Sequence, residues 1–139
     1  MAMIASADIG DEEFLRTFHS CELPAACFRH GDHLRLAWIH LHREPMDQAL
    51  KSVRTGIQRF AAHHGVSHIY HETVTIAWVR LLASHCESDF AQFMTENEHR
   101  LNLRLLHRFW SPDALNSEAA KRVWLKPDRE ALPDPVCLY

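Results

Sequence analysis

The stretch Tyr70-His71-Glu72-Thr73-Val74-Thr75-Ile76-Ala77-Trp78-Val79-Arg80-Leu81-Leu82 decides the fold. Its middle, Val74 to Val79, is β-branched and aromatic enough to suit a buried strand. Length argues the other way. The apolar pattern persists through Leu81, Leu82 and His85, which predicts a helix from His71 to about Glu87. A helix so apolar on most sides belongs at the centre of a helical bundle.

The neighbouring segments repeat the helical period. Leu34, Ala37, Trp38 and Leu41 recur at i, i+3, i+4, i+7 and predict a helix from near Gly31 to Arg43. Pro45 opens the next helix at its first turn, Met46, Ala49, Leu50, Val53, Ile57, Phe60 and Ala61 form its apolar face, and Gly65 closes it with a left-handed cap. Farther upstream, Asp11, Glu12 and Glu13 suit the positive end of a first helix carrying Phe14 and Phe18, and Pro24 stops it. Downstream, Ser88 is expected to cap a helix with Phe90, Phe93, Met94 and Leu101 on its stripe, where Asn97 is a polar exception. Leu103 to Trp110 suggest another helical segment, and Ser111-Pro112-Asp113 starts one running through Trp124. Pro127, Pro133 and Pro135 mark residues 126–139 as an extended tail. The expectation is one all-α domain over residues 1–139, a compact bundle of five to seven helices with a Pro-rich C-terminal tail.

Composition narrows the function classes. The chain has 139 residues, 47% hydrophobic and 24% charged, an ordinary globular mix long enough to build a core. The formal charge is −3 with no basic stripe, which argues against nucleic-acid binding. The least charged run, Thr73 to Cys86, is too short for a bilayer, and Met1 to Gly10 lacks the features of a secretory signal. A cytoplasmic protein is the resulting expectation. Cys21, Cys27, Cys86 and Cys137 form no CxxC motif and are read as reduced apolar fillers, with Cys27 a minor metal-ligand candidate.

Twelve histidines are the unusual feature. His19, His42, His68 and His99 read as solvated. His30 and His33 instead extend the stripe 34, 37, 38, 41 backward, so both imidazoles are expected to point inward and to share one helix turn. His71 lies on the stripe with Val74, Trp78 and Leu81, and Glu72 on a neighbouring inward face, where a carboxylate is costly unless paired or bound to a cation. Together His30, His33, His71 and Glu72 make a ligand set for a divalent Zn, Fe, Mn or Ni ion. Glu72 would then be a fourth ligand or the general base of a metal-dependent hydrolase, lyase or oxygenase acting on a small molecule.

Structural readings stand beside this one. Glu72 suits a helix N-terminus and could pair with Arg35 or Arg29, and histidines bonded to carbonyls need no metal. The alternative function is a non-catalytic small-molecule or partner-binding module with pH-responsive histidines. His64 reads as a helix C-cap, whereas His107 and Asn97 could reach the same pocket. A homodimer is expected if Trp110 or Trp124 is exposed.

The segments Phe28-Arg29-His30-Gly31-Asp32-His33-Leu34-Arg35-Leu36-Ala37-Trp38 and Tyr70-His71-Glu72-Thr73-Val74-Thr75 resemble recurring blocks in a family of short bacterial helical proteins of unassigned function. The ending, Trp124-Leu125-Lys126-Pro127-Asp128 through Pro133, is similar to that family's. The layout also resembles DinB-type helical metalloproteins, which carry three histidines on a four-helix bundle. That likeness implies a metal and no particular substrate.

Overall fold

Helix-forming stripes interrupted by proline, glycine and serine punctuation produce an all-α chain. In the computed structural model, residues 9–85 and 89–136 are described, and no strand occurs among them. Their α-helices are α1 (Asp11–His19), α2 (His30–Arg43), α3 (Met46–His63), α4 (Glu72–Leu82), α5 (Phe90–Asn97), α6 (Leu103–Leu106), α7 (Pro112–Leu115) and α8 (Glu118–Arg122). The decisive stretch is therefore helical. The chain groups into two compact units, Met1–Tyr70 and His71–Tyr139. No helix of the described residues is long and apolar enough to cross a membrane.

In the amino-terminal unit, α2 and α3 pack along their apolar stripes and α1 lies against α3. Phe14, Phe18, Leu34, Ala37, Val53 and Phe60 are buried there. The start of α2 is tied by Asp32, whose carboxylate accepts the Arg29 N–H at 2.8 Å. Gly65, with φ +73°, terminates α3, and the Val66 N–H reaches back to the Ala61 carbonyl at 2.8 Å. At Gly56 the constraint is space. A Cβ there would sit 2.9 Å from Cε2 of Phe18 and 3.3 Å from Cε1 of His19. The absent side chain lets α1 approach α3.

In the carboxyl-terminal unit, α4 packs on α8, with Ala77, Val79, Leu82, Phe93, Leu106 and Trp110 buried. Helix α4 ends at Leu82, short of the expected Glu87. The Ser84 hydroxyl donates to the Leu81 carbonyl at 2.6 Å, and the Ala83 carbonyl accepts the N–H of Val136 at 2.8 Å, so polar partners replace the next helical turn. The expected cap Ser88 lies outside the described residues; Asp89 caps α5 through the Ala91 N–H at 3.1 Å. The segment read as one helix from Ser111 to Trp124 is two. Ser111 caps α7 with Pro112 in its first turn, but Ser117 then caps α8 by accepting the Ala120 N–H at 3.1 Å. A serine that begins one helix interrupts the other.

Gly56→Ala tests the α1–α3 approach. Alanine gains helix propensity, yet the new Cβ would force the buried Phe18 ring to shift, so the expected net effect is a loss of about 1–2 kcal/mol. Urea unfolding measures it. Unchanged or increased stability would show that Phe18 can move aside.

Candidate functional site

The residues expected to form one metal centre are divided between the units, His30 and His33 in the first and His71 and Glu72 in the second.

His30 is exposed, which corrects the inward placement expected for it. It is the first residue of α2, one turn ahead of the first buried residue of that helix, Leu34. His33, one turn on, is half-buried, and its ring lies 4.2 Å from that of Phe28 at an angle of 60°. Burial holds the His33 imidazole down to a pKa of about 4, the charge of His30 lowers it further, and Asp32 partly offsets this. His33 is thus neutral at neutral pH, with a lone pair available. Arg35 forms an ion pair with Asp11 at 2.9 Å, and Nε of Arg29 donates to the Ala26 carbonyl at 3.3 Å.

His71 is the N-cap of α4 and works as structure. Its Nδ1 accepts the Val74 N–H at 3.1 Å, so Nε2 carries the proton and donates to the Leu115 carbonyl at 2.8 Å. Both ring nitrogens are engaged, and metal ligation through either would break a bond that shapes this unit. Glu72 is buried, as its inward reading requires, in the first turn of α4 where the dipole favours a carboxylate. Among the described residues, no group of three or more His, Cys, Asp or Glu side chains is placed to hold a metal ion.

The structure instead draws a polar chain through the amino-terminal unit. The Glu44 carboxylate accepts from Nδ1 of His40 at 2.6 Å and from the Ser52 hydroxyl at 3.0 Å. Nε2 of His40 then faces Nε2 of His19 at 3.2 Å. With His40 donating through Nδ1, its other nitrogen accepts from His19. Burial, and after it the charges of His40 and Arg59, lower the His19 pKa, while Glu44 raises it. His19 is therefore not a solvated residue, because the end of α1 rests over Gly56. His42 is not either: its Nδ1 meets the Trp38 carbonyl at 2.9 Å and its ring stacks on the indole at 4.5 Å. His68 and His99 are exposed, as expected. The legible signal for this chain of groups was the i, i+4 spacing of His40 and Glu44.

The other candidates separate cleanly. His64 is the C-cap residue of α3, and its Nε2 meets the Leu23 carbonyl at 3.1 Å. Cys27 is buried on a short 3-10 turn. His107 follows α6, and its Nδ1 is buried with no hydrogen-bond partner among the described residues. Trp110 is fully buried and Trp124 half-buried, so neither supplies the exposed patch on which the dimer expectation rests.

A cavity of about 450 Å³ lies within the carboxyl-terminal unit. Leu81, Leu82, Phe93, Leu101 and Phe109 are among its apolar walls. Arg100, Arg108, His85 and Glu130 are its titratable lining. This volume falls in the range of ordinary small-molecule pockets. The sequence did not point to this cavity; Asn97, the polar residue on an apolar stripe, was expected to reach the histidine site. Asn97 is buried, its amide donates to the Phe93 carbonyl at 2.8 Å, and its Oδ1 accepts from Nε of Arg100 at 3.1 Å.

No known protein family, curated protein or solved structure matches the chain.

The low pKa of His33 has a definite pH signature. The unfolded imidazole takes its proton near pH 6.5, whereas the folded one resists until about pH 4. The unfolded state therefore binds more protons in that window, and the stability His33 allows at neutral pH is lost as pH falls from about 6.5 toward 4. Thermal melting of His33→Gln should show a shallower decline across this window than the parent chain. Parallel curves would mean that His33 is not held neutral.

Proposed function

We propose that this chain is a helical small-molecule-binding module whose ligand occupies the cavity of the carboxyl-terminal unit. The single observation carrying this is the cavity itself: about 450 Å³, lined by apolar side chains together with a few charged and polar ones. The histidine network of the amino-terminal unit supports the pH-responsive part of the same reading. His19 and His40 meet nitrogen to nitrogen, and burial of His19 lowers its pKa, so a proton taken up there would place a charge beside the contact at the end of α1.

The neutral dye Nile red tests the pocket. Saturable binding in a one-to-one ratio is expected. Ala131 lines the cavity and is exposed, so Ala131→Trp fills the space without disturbing the core. It should weaken dye binding at least about tenfold at an unchanged melting temperature. Equal dye affinity in the filled variant would end the proposal.

A second reading, a metal-dependent enzyme acting on a small molecule, is favoured by His33. A neutral imidazole one turn from His30 offers two nitrogen donors on one helix face for Zn, Fe, Mn or Ni, with further ligands to complete the shell. Elemental analysis of protein purified without chelator should then find stoichiometric metal, lost in both His30→Ala and His33→Ala. Metal-free wild type after reconstitution, with melting unaffected by chelator, would remove this reading and leave the first intact.

A further inference from the structure

The apolar walls of the cavity set the body of a ligand, and its charged lining sets the head. Two of the lining side chains are guanidinium groups, Arg100 and Arg108, against a single carboxylate, Glu130. Both arginines are held in the same manner. The buried Asn97, itself fixed by the Phe93 carbonyl, accepts from Nε of Arg100 at 3.1 Å. Glu130 accepts from Nε of Arg108 at 2.8 Å, and the guanidinium lies over the Phe109 ring at 5.8 Å from its centroid. Each side chain is anchored through the inner nitrogen. The terminal nitrogens of both have no protein acceptor among the described residues.

A guanidinium clamped at Nε presents its outer fork, the arrangement that receives the two oxygens of a carboxylate. Anchoring also lowers the conformational entropy lost when an anion arrives, because part of the side chain is already ordered. A buried asparagine is an expensive group to place on an apolar helix stripe. Here its two hydrogen bonds join the α5 backbone to one of these forks.

From this geometry we infer that the cavity takes an organic monocarboxylate with an apolar body, the tail against Phe93, Leu101 and Phe109 and the carboxylate at the forks of Arg100 and Arg108. This rests on the small-molecule reading above and adds the ligand's class to it. A cationic amphiphile is disfavoured by the two guanidiniums, and a neutral one leaves their terminal nitrogens to water.

Titration with octanoate, 1-octanol and octylammonium, three probes of equal chain length, separates these cases. Octanoate is expected to displace Nile red at a concentration about tenfold or more below that of octanol, and octylammonium to be the weakest. Arg100 and Arg108 are exposed, so Arg100→Gln and Arg108→Gln leave the core intact. Each should weaken octanoate about three- to tenfold while octanol is unchanged. Arg108→Gln should cost more, because it also leaves Glu130 unpaired beside the anion. The double variant should bind octanoate no better than octanol, with the melting temperature confirming a folded chain.

Three outcomes overturn the inference, and they are distinguishable. Octanoate and octanol binding equally well to wild type would leave the pocket and remove its anion preference. An octanoate preference that survives the double variant would place the carboxylate elsewhere. Failure of Nile red and all three probes to bind at up to about 10 mM would remove the pocket reading together with the inference.

Discussion

The carboxyl-terminal unit depends on one buried hydroxyl. Thr73, in the first turn of α4, is fully buried, donates to the Val123 carbonyl at 2.8 Å and accepts the Leu125 N–H at 3.0 Å. A threonine early in a helix usually serves its own backbone. This one instead fastens the segment that leaves α8, satisfying two backbone groups that would otherwise lie unpaired near the core. Once Leu125 is fixed, its carbonyl receives Nε1 of the buried Trp110 at 2.9 Å. Asp128 then reaches Ser111, accepting from its N–H and its hydroxyl at 2.7 Å each, and these bonds hold the Asp128 carboxyl below its ordinary pKa. Arg129 follows, its N–H on the Phe109 carbonyl at 2.9 Å. The chain is thus laid down bond by bond from Thr73 to the residues that wall the cavity.

The amino-terminal unit is organised by close approach rather than by a pin. Gly56 brings α1 onto α3, and the same proximity carries His19 to His40. Polar order follows from packing here. Because Glu44 receives Nδ1 of His40, the remaining nitrogen has to look outward along the His19–His40 line. A tautomer chosen by one carboxylate decides the direction of a bond two residues away in the network.

Much of this architecture was readable before any coordinates. The helical period of α2 and α3, the Pro45 start, the Gly65 stop and the Ser111-Pro112 start all appear where local chemistry places them, because each depends on residues within one or two turns. Val74 to Val79 took a helical form despite their β-branched content, since the stripe had more turns to bury than a strand could supply. Helix ends were less legible. The end of α4 is set in part by Val136, more than fifty positions along the chain, and no local pattern announces such a partner. The site was less legible still. Helical periodicity could say that Glu72 is inward, and it is buried, but it could not say that Leu115 and Val74 would occupy both nitrogens of His71. Nor does periodicity register the first turn of α2, where His30 continues the stripe in sequence yet lies exposed. Arg100 and Arg108 carry no pattern at all; what links them to the cavity is the fold.

Part of the cavity wall is made of Glu130, Ala131 and Pro133, residues that belong to no helix and are exposed on their other side. Their side chains carry little of the core's packing. Such a wall can be recut, by exchanging those residues for larger, smaller or oppositely charged ones, while α4, α5 and Trp110 keep their places. The size and charge of the opening can therefore change while the scaffold behind it stays as it is.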